Sequence, residues 1–283
     1  MSAPDVRGDL VNRVAVVTGG SQGIGLAIAR KLAAEGARVV IAARRADPAQ
    51  QAADAIVAAG GEAIAIATDV RAAAESAALV ASTVEQLGSL DILVNNAGVS
   101  TRRAAPEEFP EAEIDAIFDT NLKGAFLLSV AAAKAMIPRR SGVIINIASI
   151  AGVSPVGLEA AYSASKAGMI GMTQALAHDW GRHGIRVHAV APGYVESAMN
   201  RPLRETAARL LASGAPPADA DEAFALSLVK GITGRTVLGR FGLPEEVAEV
   251  VAFLASDRAR YMTGAVTMVD GGWTIGDSSY GPA

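Results

Sequence analysis

The 283-residue chain predicts an α/β fold: one open, doubly wound sheet of seven parallel strands with helices on both faces. Three observations lead there. Short β-branched runs alternate with Ala-rich stretches of helical period along the whole chain. Those runs are apolar at nearly every position rather than at alternate ones, as strands covered on both faces must be. The first of them breaks into glycines at TGGSQGIG and then resumes as a helix, which is the order strand, tight turn, helix.

The elements follow in order. RVAVVTG (13–19) reads as the first strand and is followed by a helix from about Ile24 to 35. ARVVIAA (37–43) and a helix to 59 come next, then EAIAIATDV (62–70), a helix to 87, and LDILVNNAG (90–98). A polar loop leads to a helix over about 111–137, then GVIINIAS (142–149), a helix over about 160–182, IRVHAVAPG (185–193) and AVTMVDGG (265–272). Between the last two strands, RPLRETAARLLASGAPPADADEAFALSLVK reads as two Ala/Leu-rich helices split by GAPPAD, with Asp219 or Asp221 as N-cap of the second. No repeat and no strong linker appears, so residues 1–283 are expected to form one domain with a helical lid at about 196–238.

Composition narrows the function classes. Charged residues make up 19% of the chain and the net charge is −4, which gives no basic surface for nucleic acid or anionic membrane. There are no cysteines, which removes disulfides, thiolate nucleophiles and Cys-ligated zinc. MSAPDVRGDLVNR has no apolar signal-peptide core, and no uninterrupted apolar run reaches the ~18 residues that span a bilayer, so the chain reads as cytoplasmic. His178, His183 and His188 recur every five residues, the wrong spacing for a helical metal pair, and no metal site is expected.

The glycine break is a candidate anion site. A helix N-terminus presents unpaired N–H groups and the positive end of the helix dipole, and a pyrophosphate sits well on both. Gly19 permits the turn, Gly23 lets phosphates approach the backbone, and Gly25 lets the helix pack on the strand. Ser21, Gln22 and Ile24 ride on the same turn and join the candidate cofactor-binding set.

The spacing TGxxxGxG (Thr18, Gly19, Gly23, Gly25) resembles that of the classical short-chain dehydrogenases/reductases, and further motifs of that family follow in order. They are Asp69-Val70, NNAG at 95–98, Asn121 in TNLKG, Ser149 in NIASIAG, YSASK at 162–166, APG at 191–193 and VDGG at 269–272. The resemblance covers almost the whole chain and implies a Rossmann-type fold and a nicotinamide cofactor. It implies that Asp69 holds the adenine amino group, that Val70 packs on the ring, and that Asn96, Ala97 and Gly98 line the adenosine ribose. Pro192, Gly193 and Val195 would sit at the nicotinamide end. One departure stands at His188: the family usually has Asn in this RVxAVAPG context, so a buried hydrogen bond is expected to be made differently here.

Tyr162 and Lys166 are spaced i, i+4 and project from one helix face. An adjacent ammonium stabilises a phenolate, so the tyrosine pKa is expected to fall and Tyr162 to exchange a proton with a carbonyl or alcohol oxygen. Ser149, at a strand's carboxyl end, would hydrogen-bond the same oxygen. By the resemblance Lys166 also holds the nicotinamide ribose, and Asn121 completes a catalytic tetrad by holding a water linked to Lys166. The Tyr–Lys spacing differs from that of enoyl reductases, and TGxxxGxG differs from the TGxxGxxG of epimerase-type relatives. A non-catalytic nucleotide sensor of the same fold would be expected to have lost part of the Ser, Tyr, Lys set.

The second strand ends in Ala43, where NAD-preferring relatives carry an acidic residue, and Arg44 follows with Arg45 behind it. A planar cation there suits a 2′-phosphate, so NADP(H) is expected, with NAD(H) possible if Asp47 reaches the ribose. The reaction expected is hydride transfer between the nicotinamide and a carbonyl or secondary alcohol of a small molecule. The alternatives are a 3-oxoacyl-(acyl-carrier-protein) reductase, for which Arg139, Arg140, Arg182 and His183 are candidate basic residues, and an NAD-dependent alcohol or sugar dehydrogenase. The resemblance further implies a homo-oligomer, a tetramer more than a dimer, built through the helices at 111–137 and 160–182 and the last strand.

Overall fold

The computed structural model describes residues 8–100 and 103–276, so the outer ends of the expected domain lie outside the described residues. Seven strands form one parallel sheet: β1 (Val14–Thr18), β2 (Arg38–Ala43), β3 (Glu62–Ala67), β4 (Ile92–Asn95), β5 (Gly142–Ile147), β6 (Ile185–Pro192) and β7 (Val266–Val269). Their order is β3-β2-β1-β4-β5-β6-β7, with every neighbouring pair parallel. The chain therefore reverses its direction of travel between β1 and β4, and a crevice opens there at the strands' carboxyl ends. Most strands stop a residue or more inside the predicted runs, because the glycines and polar residues that close each run turn away from the ladder.

In chain order the helices are α1 (Gly23–Ala34), α2 (Ala46–Ala58), α3 (Ala73–Leu87), α4 (Glu111–Phe118), α5 (Ala125–Met136), α6 (Ala160–Gly181), α7 (Arg201–Ser213), α8 (Ala220–Arg235) and α9 (Pro244–Ala255). Successive strand residues point to opposite faces and build two cores. On one face Val17, Ile41 and Ile145 pack with Ile28 and Leu32 of α1, Ile56 of α2 and Val251 of α9. On the other Val16, Val40 and Ile144 pack with Leu79 of α3, Leu128 and Met136 of α5, and Met169 of α6. Each such side chain contributes about 1.5–3 kcal/mol when fully buried.

Three features depart from the sequence reading. The helix expected over 111–137 is one helical rod of three pieces, because a π turn at Asp119–Gly124 separates α4 from α5 and holds Asn121. That rod, Glu111–Met136, is long and apolar enough by length and composition to cross a membrane, although no uninterrupted apolar run was expected to reach that length. Half of its apolar window is buried in the protein, as suits a core helix. Finally, α9 had been passed over as a helix: Pro244 opens it, and the Glu246 carboxylate accepts the Leu243 N–H at 2.7 Å.

The two helices expected at 196–238 are present as α7 and α8. Gly214 closes α7 in the left-handed conformation at φ 66°, and Asp219 rather than Asp221 caps α8, accepting the Glu222 N–H at 2.8 Å.

Candidate active site

Thr18, the last residue of β1, ties the crevice together. Its hydroxyl donates to the Val94 carbonyl at 3.2 Å and accepts the N–H groups of Asn96 and Ala97, each at 2.9 Å. The Asn96 amide donates in turn to the carbonyls of Thr18 at 2.9 Å and Gly19 at 3.3 Å. These bonds lock the glycine turn to the end of β4. They leave no room at Gly25, where a Cβ would lie 2.3 Å from the Gly19 carbonyl oxygen. Gly23 is the opposite case: its backbone is left-handed at φ +55° and a Cβ would meet nothing within 4 Å, because it borders open space.

A cleft of about 610 Å³ begins at this turn. Gly19, Ser21, Gln22, Gly23, Ile24 and Gly25 line one end, Arg44 with Arg45 and Asp69 with Val70 the middle, and Asn96, Ala97 and Gly98 the floor. No side chain caps the first turn of α1, so its N–H groups face the cleft without a side-chain partner. Open space at Gly23 and uncapped N–H groups are the cradle a pyrophosphate needs, and the residues fit a dinucleotide. Thr120 and Ser197 also line the cleft and were missed from sequence; Ser197 follows the PGYVE run closely, but a lone serine carries no signal of its own.

Two predicted cofactor contacts look different in the structure. The Asp69 carboxylate is engaged by Arg71 through Nε at 3.0 Å to each oxygen. That hydrogen bonding, outweighing burial, holds its pKa below the usual carboxylate value. Val195 does not line this cleft. It is nearly buried, bridges Gly242, and borders a separate cavity of about 450 Å³ with Tyr194, Leu238 and Met268. Pro192 ends β6, and Gly193 lies so close to the strand exit at Asp270 that a Cβ would come within 2.8 Å of its Cα.

The four candidate catalytic residues converge behind Gly98. A Cβ on Gly98 would stand 3.3 Å from Asn121 Oδ1 and 3.7 Å from Lys166 Nζ. Lys166 is buried, donates to the Ile147 carbonyl at 2.7 Å and lies 5.7 Å from the Tyr162 ring centre. Burial lowers its pKa to about 8. Ser149 caps a short 3-10 turn at Ile150–Gly152, accepting the Ala151 N–H at 3.1 Å. Gly152 lets that turn rest on α6, since a Cβ there would come within 2.7 Å of the Lys166 carbonyl carbon.

Here the expected tyrosine shift is corrected. Burial raises the Tyr162 pKa above its ordinary value, a hydrogen bond with Ser149 draws it back only in part, and the nearby Glu159 carboxylate pushes it further up. The ammonium of Lys166 does not reverse this, because it is turned toward the Ile147 carbonyl. The phenol is thus held protonated.

Asn121 also does something the sequence did not suggest. Its amide clips the backbone of Val99 from both sides, accepting the N–H at 2.8 Å and donating to the carbonyl at 2.9 Å, and it donates to Ser165 Oγ at 3.2 Å. Both donors of the side chain are therefore spent, and Asn121 positions the strip from Gly98 to Val99 against α6. The π turn that holds it is a common device at functional sites.

His188 behaves as a structural substitution. It is fully buried, burial holds its pKa down at about 4, and Nε2 lies 3.1 Å from Arg186 Nη1. Arg186 donates to the carbonyls of Leu254 at 2.7 Å and Ser256 at 3.0 Å, closing the end of α9. The basic residues considered for a carrier protein lie at the amino ends of β5 and β6, away from the cleft. Arg139 pairs with buried Asp91, and Arg140 donates to the Arg182 carbonyl at 2.8 Å.

Comparison with known proteins agrees with this geometry. The family model described as short chain dehydrogenase matches residues 13–208. The 3-oxoacyl-(acyl-carrier-protein) reductase FabG of Staphylococcus aureus is 38% identical over 263 residues, covering 93% of this chain and 98% of the relative. The 3-oxoacyl-(acyl-carrier-protein) reductase of Synechocystis is 39% identical over 268 residues, covering 94% and 98%. A solved short-chain type dehydrogenase/reductase from Mycobacterium marinum superposes with a TM-score of 0.81 at 34% identity, over 94% of this chain and 97% of that one.

Proposed function

Because this chain belongs to the short-chain dehydrogenase/reductase family, oxidoreductases that interconvert CH–OH and C=O groups with a nicotinamide cofactor, we propose that it uses NADP(H) to reduce the carbonyl of a small molecule. The observation that carries this reading is the meeting of the dinucleotide cradle with Lys166 at Gly98, with Tyr162 beside Lys166 and hydrogen-bonded to Ser149.

The glycine turn and the α1 N-terminus hold the pyrophosphate, Asn96 to Gly98 the ribose, and Val70 the adenine, whose amino group shares Asp69 with Arg71. Arg44 pairs with the 2′-phosphate, since Ala43 offers no carboxylate to a free 2′-hydroxyl. Pro192 and Gly193 close the nicotinamide end. The bound nicotinamide supplies the hydride.

The protein does the rest. Ser149 and Tyr162 hydrogen-bond the substrate oxygen and favour the negative charge that develops there. Tyr162, protonated, gives that oxygen its phenolic proton in the reductive direction. Lys166 stands ready to refill the phenol and to hold the ribose, and Asn121 keeps the floor of the site rigid. The pair α7 and α8 covers the substrate end and excludes water, and the chain assembles as a tetramer through α5, α6 and the edge strand β7. A second reading, reduction of a 3-oxoacyl thioester on a carrier protein, is favoured by the named activity of the two curated relatives.

Fluorescence titration of the apoprotein tests the cofactor assignment without a substrate. NADPH is expected to bind at least about tenfold more tightly than NADH, and Arg44→Ala to remove that preference by weakening NADPH alone. Equal weakening of both cofactors, or tighter NADH, would move the 2′ site away from Arg44.

A further inference from the structure

Opposite the cofactor cleft, two loops are stitched together beside Tyr162. The Ala104 N–H donates to the Leu158 carbonyl at 3.2 Å, and Arg103 Nη2 donates to the Gly157 carbonyl at 3.2 Å. To offer its carbonyl, Leu158 adopts a left-handed backbone at φ 65°, a conformation that disfavours a branched side chain. Strain of that kind persists only where surrounding structure enforces it, and it clusters at ligand sites.

The stitching delivers Glu159. Its carboxylate is partly buried, and the residue is the N-cap of α6, three positions ahead of Tyr162. It lies within electrostatic reach of both Tyr162 and Tyr194, the latter on the loop after β6. Its ionic partner is Arg103, with Nε at 3.5 Å from Oε1, too long and oblique for a strong hydrogen bond. An ionised carboxylate offers about four lone-pair sites. Those of Glu159 accept no hydrogen bond from the described residues.

We propose that Glu159, oriented by Arg103, is a specificity-determining residue that accepts a hydrogen bond from a hydroxyl beside the reacting carbon, so that the preferred substrates are neutral hydroxy-ketones and their diols. The adjacent guanidinium cancels the field that would draw an ammonium, and the carboxylate repels an acid. A neutral donor is the group that both tolerate. This rests on the oxidoreductase reading above and names the substrate class of the same site.

Calorimetric titration of the NADP⁺-saturated protein with butane-2,3-diol and with butan-2-ol tests it. The diol is expected to bind at least about tenfold more tightly than the mono-alcohol, the usual worth of a hydrogen bond to a charged group. Glu159→Ala is expected to bring the ratio close to one while NADP⁺ affinity stays unchanged. Glu159→Gln, which keeps the fold and one acceptor, should fall between the two. Equal binding of both alcohols by the wild type, or an undiminished ratio in Glu159→Ala, overturns the proposal and leaves the cofactor reading standing. Failure of the wild type to bind either nicotinamide cofactor overturns both.

Discussion

The glycine turn around Gly25 and the α7–α8 pair of this molecule are held together by different means. Around the glycine turn the contacts are between backbones: Gly25 has no room for a Cβ, and Thr18 and Asn96 spend their polar atoms on main-chain groups of neighbouring strands. In the helix pair, α7 buries Ala207 and Leu210 and α8 buries Ala225 and Ile232, while Arg209 pairs with Glu222 across the two helices and Arg204 with Glu196 of the preceding loop at 2.8 Å. Backbone geometry tolerates few residue types, so it leaves motifs; a side-chain pair at a surface can be replaced in many ways and leaves none.

The sharpest break of that comparison is Gly25→Ala. A methyl group 2.3 Å from the Gly19 carbonyl oxygen and 2.4 Å from Asn96 Nδ2 forces the turn and α1 apart. We expect a loss of about 3 kcal/mol in urea unfolding, at the upper end for overpacking, together with loss of cofactor fluorescence enhancement. Retention of both would mean that strand and helix are less tightly joined than the structure has them.

Lys166→Met sharpens it from the other direction, because it separates stability from chemistry. A buried lysine whose pKa falls from 10.5 to about 8 destabilises the fold by about 3 kcal/mol at neutral pH, where it is charged in both states. The penalty is fully present below pH 8, shrinks as the folded protein releases its proton, and vanishes above about pH 10.5. Loss of the bond to the Ile147 carbonyl takes back about 1 kcal/mol. The methionine variant is therefore expected to gain about 2 kcal/mol at pH 7, to lose that gain at about pH 10, to be less stable above it by about 1 kcal/mol, and to be inactive. Destabilisation at pH 7 would mean that the ammonium is better solvated than its burial implies.

The same contrast explains what could be read from sequence. The seven strands, their crossover helices and the Gly19, Gly23, Gly25 turn were legible because period and glycine placement are imposed by backbone geometry. Ser149, Tyr162 and Lys166 were legible as a set, and the structure does bring them together. What they do to one another was not: the tyrosine pKa depends on burial, on the direction of the Lys166 ammonium and on Glu159, none of which spacing encodes. The π turn escaped because one wider turn barely disturbs the apolar period on either side of Asn121. The bridge from Val195 to Gly242 was not legible because the two lie far apart along the chain.

The smallest expected effect lies in the lid. Arg209 is more than half exposed, and its pair with Glu222 is a surface ion pair, worth about 0.2–1 kcal/mol. Arg209→Ala is thus expected to lower the melting temperature by no more than about 2 °C, because 1 kcal/mol spread over a domain of this size moves the midpoint by only a few degrees. Cofactor affinity should stay unchanged, since Glu222 keeps its bonds to the Ala218 N–H and the capped start of α8. A fall of more than about 5 °C would mean that the lid shares the cooperative unit of the sheet. In that event its polar pairs would be part of the core's stability, and the division between a backbone-built glycine turn and a side-chain-built helix pair would fail at its outer edge.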